Sequence, residues 1–310
     1  MSEKHGHPFG GVYAATVCPM TEDARVDDAA LARHVAAVTA VPGVRGLLSN
    51  GHAGENFALE RAEKRRVIEI TRGAAGPDTL IVAGVNQESS RELALEAREA
   101  AEAGADAILV FPPNSWALSL DPRAVLLHHR AVLEATELPI MLYQAPVGAG
   151  HMAYPPEVLR ELVSLPRVVA IKEGSWETST YEANRRLVRS LAPEVAVLAS
   201  GDEHLLSCFV LGSEGSMVSL AVIVPEAIVA LDAAVRDGDL KAARAAHETI
   251  YPLAAAIYGT APAGMATARL KACLALLGRI ECAAVRPPSP ALSDRETAAL
   301  KAILESAGLL

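Results

Sequence analysis

Lys172 closes an apolar run, Val168-Val169-Ala170-Ile171, where burial would penalise its charge. An amine at the end of a buried strand either snorkels to the mouth of the fold or points inward among apolar side chains. Desolvation there lowers its pKa and makes it nucleophilic towards carbonyl carbon. The plainer reading is a structural ion pair, with Glu173 next to it as the partner. Tyr143 ends a second such run, Pro139-Ile140-Met141-Leu142-Tyr143. A phenol beside an imine can move protons and hydrogen-bond a substrate oxygen, or it is a core tyrosine with a satisfied hydroxyl. The loop Asn50-Gly51-His52-Ala53-Gly54-Glu55 brackets a turn with two glycines, so its backbone amides could converge on a carboxylate. An ordinary turn is the alternative. His52 would then face solvent rather than substrate, and Glu55 would be a polar contact or a helix-start acid.

Other clusters carry less. His128 and His129 are helix neighbours and point apart, so they do not chelate. Asp202, Glu203 and His204 make an incomplete ligand set for metal-assisted chemistry, and no metal site is expected. Neither G-x-x-x-x-G-K-[ST] nor G-x-G-x-x-G occurs, so nucleotide cofactors lack support. The cysteines Cys18, Cys208, Cys273 and Cys282 show no C-x-x-C and read as buried free thiols of a reducing cytoplasm.

The elements that must position these residues alternate. Eight short apolar runs, at 11–20, 44–51, 79–85, 105–113, 139–146, 168–174, 195–202 and 215–222, are separated by helical-period segments. Near-continuous apolar runs suit strands of a parallel sheet buried on both faces. Eight β/α units in order predict an α/β fold, a (β/α)8 TIM barrel over residues 1–235, whose catalytic face is built by the loops after the strands. Four helices then follow without strands. The first, at 225–235, completes the barrel, and a C-terminal helical extension over 236–310 reads as a packing or assembly element. Proline at 122 and 155 suits helix first turns, and Ser293 suits an N-cap.

Composition excludes other classes. With 28 Lys+Arg against 37 Asp+Glu the net charge is −9, which disfavours a nucleic-acid surface. No apolar run is long enough for a membrane span. The opening MSEKHGHPFG lacks the apolar core of a secretory leader, so a cytoplasmic location is expected. Aromatic residues are scarce, yet Phe57, Phe111 and Trp116 fall in or beside the mouth loops, as does Met152. They suggest a partly apolar pocket. Asn114 and Trp116 are the candidate substrate contacts of the loop after the fourth strand.

The segments GVYAATVCPM, SNGHAGENFAL, PIMLYQAP, VVAIKEGS, ASGDE and GSMVSLAVIVP occur in the order seen in the dihydrodipicolinate synthase/N-acetylneuraminate lyase family, which the chain resembles from Gly11 to its C-terminus. The resemblance implies a barrel, usually a homotetramer, although the tail helices are also compatible with a dimer. It implies action on pyruvate or another 2-oxo acid, with an aldehyde as partner. Lys172 would form the imine, so no other cofactor is needed, and Tyr143 would be the acid/base. The amides of the His52-Ala53-Gly54 turn would hold the carboxylate, and Met217 would line the mouth. Departures matter: where the synthase branch has two adjacent threonines, this chain has His52 and Ala53, so the proton-relay hydroxyl is missing. No tyrosine occurs in the loop after the fourth strand, and Gly148 stands where that branch places the arginine for the second substrate's carboxylate. The expectation is a Schiff-base lyase performing aldol or hydratase-aldolase chemistry. A 2-keto-3-deoxy sugar acid dehydratase is the alternative, and lysine-pathway synthesis is disfavoured. A non-catalytic 2-oxo acid binder is least supported.

Overall fold

A computed structural model describes residues 7–310; the opening six residues, on which the expectation about a secretory leader falls, lie outside the described residues. Eight strands close into a parallel barrel in sequence order: β1 Gly11–Ala15, β2 Val44–Ser49, β3 Leu80–Val85, β4 Ala107–Val110, β5 Ile140–Gln144, β6 Val168–Glu173, β7 Ala196–Ala199 and β8 Gly215–Val218. Between them run α1 Asp28–Thr39, α2 Arg61–Ala74, α3 Ser90–Glu102, α4 Pro122–Ala135, α5 Pro156–Val163, α6 Thr178–Leu191 and α7 Leu205–Val210, and α8 Pro225–Arg236 closes the outer ring. The C-terminal helices are α9 Leu240–Ile257, α10 Ala266–Leu276 and α11 Asp294–Ser306. The eight-unit barrel with a helical extension is therefore the fold. No helix among the described residues is long and apolar enough to cross a membrane.

The strands are shorter than their apolar runs. The run at 11–20 leaves the sheet after Ala15, and the run at 215–222 turns into a 3-10 segment, Ser219–Val222. Val17, Cys18 and Met20 after β1, and Leu220, Ala221 and Val222 after β8, stay buried outside the sheet, so hydrophobicity outlasts the ladder. The seventh helix is likewise split, a 3-10 turn Asp202–His204 preceding α7. Pro156, not Pro155, takes the first helical position of α5; Pro155 is the N-cap. Ser293 caps α11 with Glu296 in a reciprocal box.

Alternation along the strands separates two cores. Side chains spaced by two, including Leu109, Met141, Tyr143, Ala170, Leu198 and Met217, fill the barrel interior. Their neighbours, including Ile108, Leu142, Ile171 and Val197, pack outward against the helices. Lys172 shares its face with Ala170 and therefore points inward. Cys18, Cys208 and Cys273 are buried free thiols, as expected, whereas Cys282 is only half-buried and donates to the Met20 carbonyl at 2.9 Å.

Candidate active site

Tyr143 and Lys172 are direct partners in the β5–β6 register. Both side chains enter the same cavity of about 520 Å3 at the C-terminal end of the barrel. The Lys172 ammonium lies 5.5 Å from the Tyr143 ring centroid and 5.9 Å from that of Phe111, aromatic faces that accept a cation. Burial drives its pKa down to about 8, against a smaller upward pull from the Asp202 carboxylate. The ion pair with Glu173 does not form. Period two turns Glu173 outward, where it accepts from Asn184 at 2.8 Å and from the Ser175 hydroxyl at 3.0 Å. The Tyr143 phenol is held protonated well above its usual range, chiefly by burial and then by the Glu173 charge.

The glycine loop forms a 3-10 turn, His52–Gly54, between two non-glycine residues in the left-handed region, Asn50 (φ 54) and Glu55 (φ 58). Gly84 on β3 lets it approach: a Cβ there would stand 2.4 Å from the Asn50 carbonyl oxygen. The amides of His52 and Ala53 open the turn, so neither has an acceptor within it. Both residues line the cavity that holds Lys172. The half-buried His52 ring lies 4.4 Å from Phe111 and edge-on to Tyr143 at 5.5 Å. Desolvation, helped by the Lys172 charge, lowers its pKa to about 3, so it is a neutral imidazole.

His52, Ala53, Asn114, Tyr143, Lys172 and Met217 line one cavity. Gly54 and Trp116 do not. Gly54 packs behind the turn, its Cα side close to the Thr16 carbonyl. The 3-10 turn at Asn114–Ala117 rolls Trp116 onto α4, where it meets His128 edge-on at 5.2 Å. Phe57 lies on the wall, Phe111 sits beneath the lysine, and Met152 packs into the core.

The wall also holds residues that the sequence pattern did not assign to it. Asp202 is buried in it rather than poised for a metal; its Oδ1 accepts the Leu220 amide at 2.9 Å, and burial raises its pKa to about 7. Among the described residues no group of three or more His, Cys, Asp or Glu side chains could hold a metal ion, so Asp202, Glu203 and His204 do not converge. Trp176, four residues past the lysine, and Tyr258 at the end of α9 add aromatic surface. The helical extension is more than packing: Ala263, Gly264, Ala266, Thr267 and Leu270 complete the cavity, and Thr267 donates to the His52 carbonyl at 3.3 Å.

A sequence model of the Dihydrodipicolinate synthetase family matches residues 8–307. The 4-hydroxy-tetrahydrodipicolinate synthase of Kineococcus radiotolerans is 34% identical over 307 residues, covering 97% of this chain and 94% of its own. An uncharacterized DapA-like lyase of Halobacterium salinarum is 30% identical over 311 residues, with 98% and 97% covered. Among solved structures, YagE, a prophage protein of the dihydrodipicolinic acid synthase family from E. coli K12 in complex with pyruvate, superposes with a TM-score of 0.90 at 25% identity, covering 98% of this chain and 100% of its own. Matched almost end to end by the family and by these relatives, the chain is a lyase of the dihydrodipicolinate synthetase family.

Proposed function

We propose that this enzyme works through an imine between Lys172 and pyruvate or a pyruvate-derived 2-oxo acid, making or breaking the bond to an aldehyde. The observation that carries the reading is the register pair Tyr143–Lys172 inside a desolvated cavity, with a pKa near 8 for the amine. The neutral amine adds to the keto carbon, and loss of water leaves an imine that withdraws electrons from C3. The His52 and Ala53 amides receive the carboxylate. Tyr143, protonated at neutral pH, gives its proton to the departing or incoming oxygen and takes one back. No metal or further cofactor is part of the scheme, so exhaustive chelation leaves turnover unchanged. A homo-oligomer, tetramer or dimer, belongs to the proposal and is measured by sedimentation.

Borohydride reduction in the presence of pyruvate tests it. A mass increase of one reduced pyruvyl group on the Lys172 peptide supports the mechanism; an unmodified lysine rules it out.

The synthase named in the relatives is a second reading. Its product is a dicarboxylate, so a carboxylate comes with each of the two substrates. Among the described residues Lys172 is the one lysine or arginine on the cavity wall, and the Asp202 carboxyl beside it offers an anion no counter-charge. A second buried carboxylate without a counter-charge is costly, which favours an uncharged partner.

A further inference from the structure

We propose that the partner aldehyde is uncharged and aromatic, bound between Phe57 and the Trp176–Tyr258 pair; this rests on the imine chemistry above and specifies its second substrate. Strands β2 and β6 are four places apart in a closed eight-stranded barrel and so lie across it from one another. The loop after β2 carries Phe57 and the loop after β6 carries Trp176, both onto the cavity wall, so aromatic rings stand on opposite sides of the mouth. Tyr258 packs beside Trp176 with ring centroids 5.3 Å apart and planes inclined at 56°.

Two features set this wall apart from ordinary packing. Phe57 leaves 55% of its surface in solvent, an apolar ring at the rim of a cavity that a flat ligand would cover. Trp176 adopts φ 62, a left-handed conformation unfavourable for a bulky residue, and the surrounding structure bears that cost while holding the indole at the site. Charge disfavours an anionic partner. Lys172 is committed to the 2-oxo acid, no other lysine or arginine among the described residues lines the cavity, and the Asp202 carboxyl offers an anionic partner no counter-charge. At about 520 Å3 the space accommodates a pyruvyl group together with one aromatic ring. Offset and edge-to-face contacts with Trp176, Tyr258 and Phe57 would reward such a ring over an aliphatic chain.

The chemistry balances without a co-reactant. Lys172 and pyruvate condense with loss of one water, and a C3 proton passes to solvent water as the enamine forms. C3 attacks the aldehyde carbon, a C–C bond forms as the C=O π bond breaks, and the aldehyde oxygen takes a proton from Tyr143, whose phenolate is reprotonated by solvent. Hydrolysis of the imine restores the amine and releases a 4-aryl-4-hydroxy-2-oxobutanoate. Loss of water across C3–C4 of the same imine gives the conjugated imine, and its hydrolysis restores the amine and releases the enone, which absorbs in the near ultraviolet.

The test pairs pyruvate with benzaldehyde, hexanal, glyceraldehyde or succinic semialdehyde and follows product by chromatography and absorbance, with borohydride trapping of pyruvate alone run alongside. The expected result is a kcat/KM for benzaldehyde at least tenfold above each of the others. Trp176→Ala and Phe57→Ala should each reduce that preference severalfold, and Trp176→Phe should retain most of it. Phe57 is exposed enough that its loss leaves the fold intact. Trapping of pyruvate together with a preference for succinic semialdehyde, glyceraldehyde or hexanal, or with none of the aldehydes consumed, overturns the aromatic assignment alone. Preference unchanged in Phe57→Ala and Trp176→Ala does the same. Failure to trap pyruvate overturns the imine reading, and this inference with it.

Discussion

Lys271 on α10 forms an ion pair with Glu55, the residue that ends the glycine loop, and neither side chain reaches solvent. Glu55 Oε1 also accepts the Arg286 amide at 2.8 Å, and Lys271 donates to the Ala284 carbonyl at 2.7 Å. Glu55 is therefore neither a substrate contact nor a helix-start acid. It anchors the His52–Gly54 turn, two of whose residues line the cavity, to the C-terminal segment. Lys271→Met would leave a buried carboxylate without its cation, at a cost of about 3–5 kcal/mol. Calorimetry should show the melting temperature falling by roughly 5–15 °C, and Glu55→Met in the same chain should recover much of that loss. A Lys271→Met variant that melts with the parent would refute the anchoring role.

The amine of Lys172 sets a pH dependence. Desolvation stabilises its neutral form, so the pKa drops from 10.5 to about 8, and the nucleophilic fraction grows as pH rises through that value. At pH 7 only about a tenth is free amine. Asp202 favours the ammonium, so Asp202→Asn should move the midpoint of imine trapping to lower pH. The rate of borohydride trapping against pH measures both midpoints. A parent midpoint near 10.5, or an upward move in Asp202→Asn, would contradict this account.

Tyr143 separates imine formation from proton transfer. Its ring packs against Phe111 at 4.8 Å and His52 at 5.5 Å, so Phe in its place keeps the packing and loses only the hydroxyl. Tyr143→Phe should lower turnover by roughly 10²–10⁴-fold, the usual worth of a positioned proton donor, while the pyruvate adduct on Lys172 still forms. Turnover within a few-fold of the parent would move the acid/base role elsewhere.

The barrel and its lysine were legible because each leaves a local mark. Strands buried on both faces read as apolar runs, and one charge at the end of such a run stands out. Trp116 was misread because mouth proximity says nothing about direction; a 3-10 turn decides that it faces His128. Asp202 was visible as an acidic residue, but its role depends on the Leu220 amide and on Lys172, both distant in sequence. Tyr258, Thr267 and Leu270 left no mark at all. They reach the cavity through the packing of α9 and α10 against the mouth, a tertiary arrangement without a local pattern.

Buried histidines make the fold sensitive to acid. His34 on α1 is 3% exposed, its Nε2 has no hydrogen-bond partner among the described residues, and burial with the Arg279 charge lowers its pKa from 6.5 to about 4. Between those values the unfolded chain binds a proton that the native imidazole refuses. Stability therefore rises with pH across that window and is lost as pH falls from 6.5 towards 4. One fully buried histidine contributes up to about 3 kcal/mol of this loss. Burial lowers His128 and His129 to about 4 as well and adds to it, while Asp202, raised to about 7, opposes it. His34→Gln removes one such contribution without touching the others. Urea unfolding at a series of pH values should give the variant a shallower decline between pH 6.5 and 4 than the parent; parallel curves would mean that His34 does not titrate in this way.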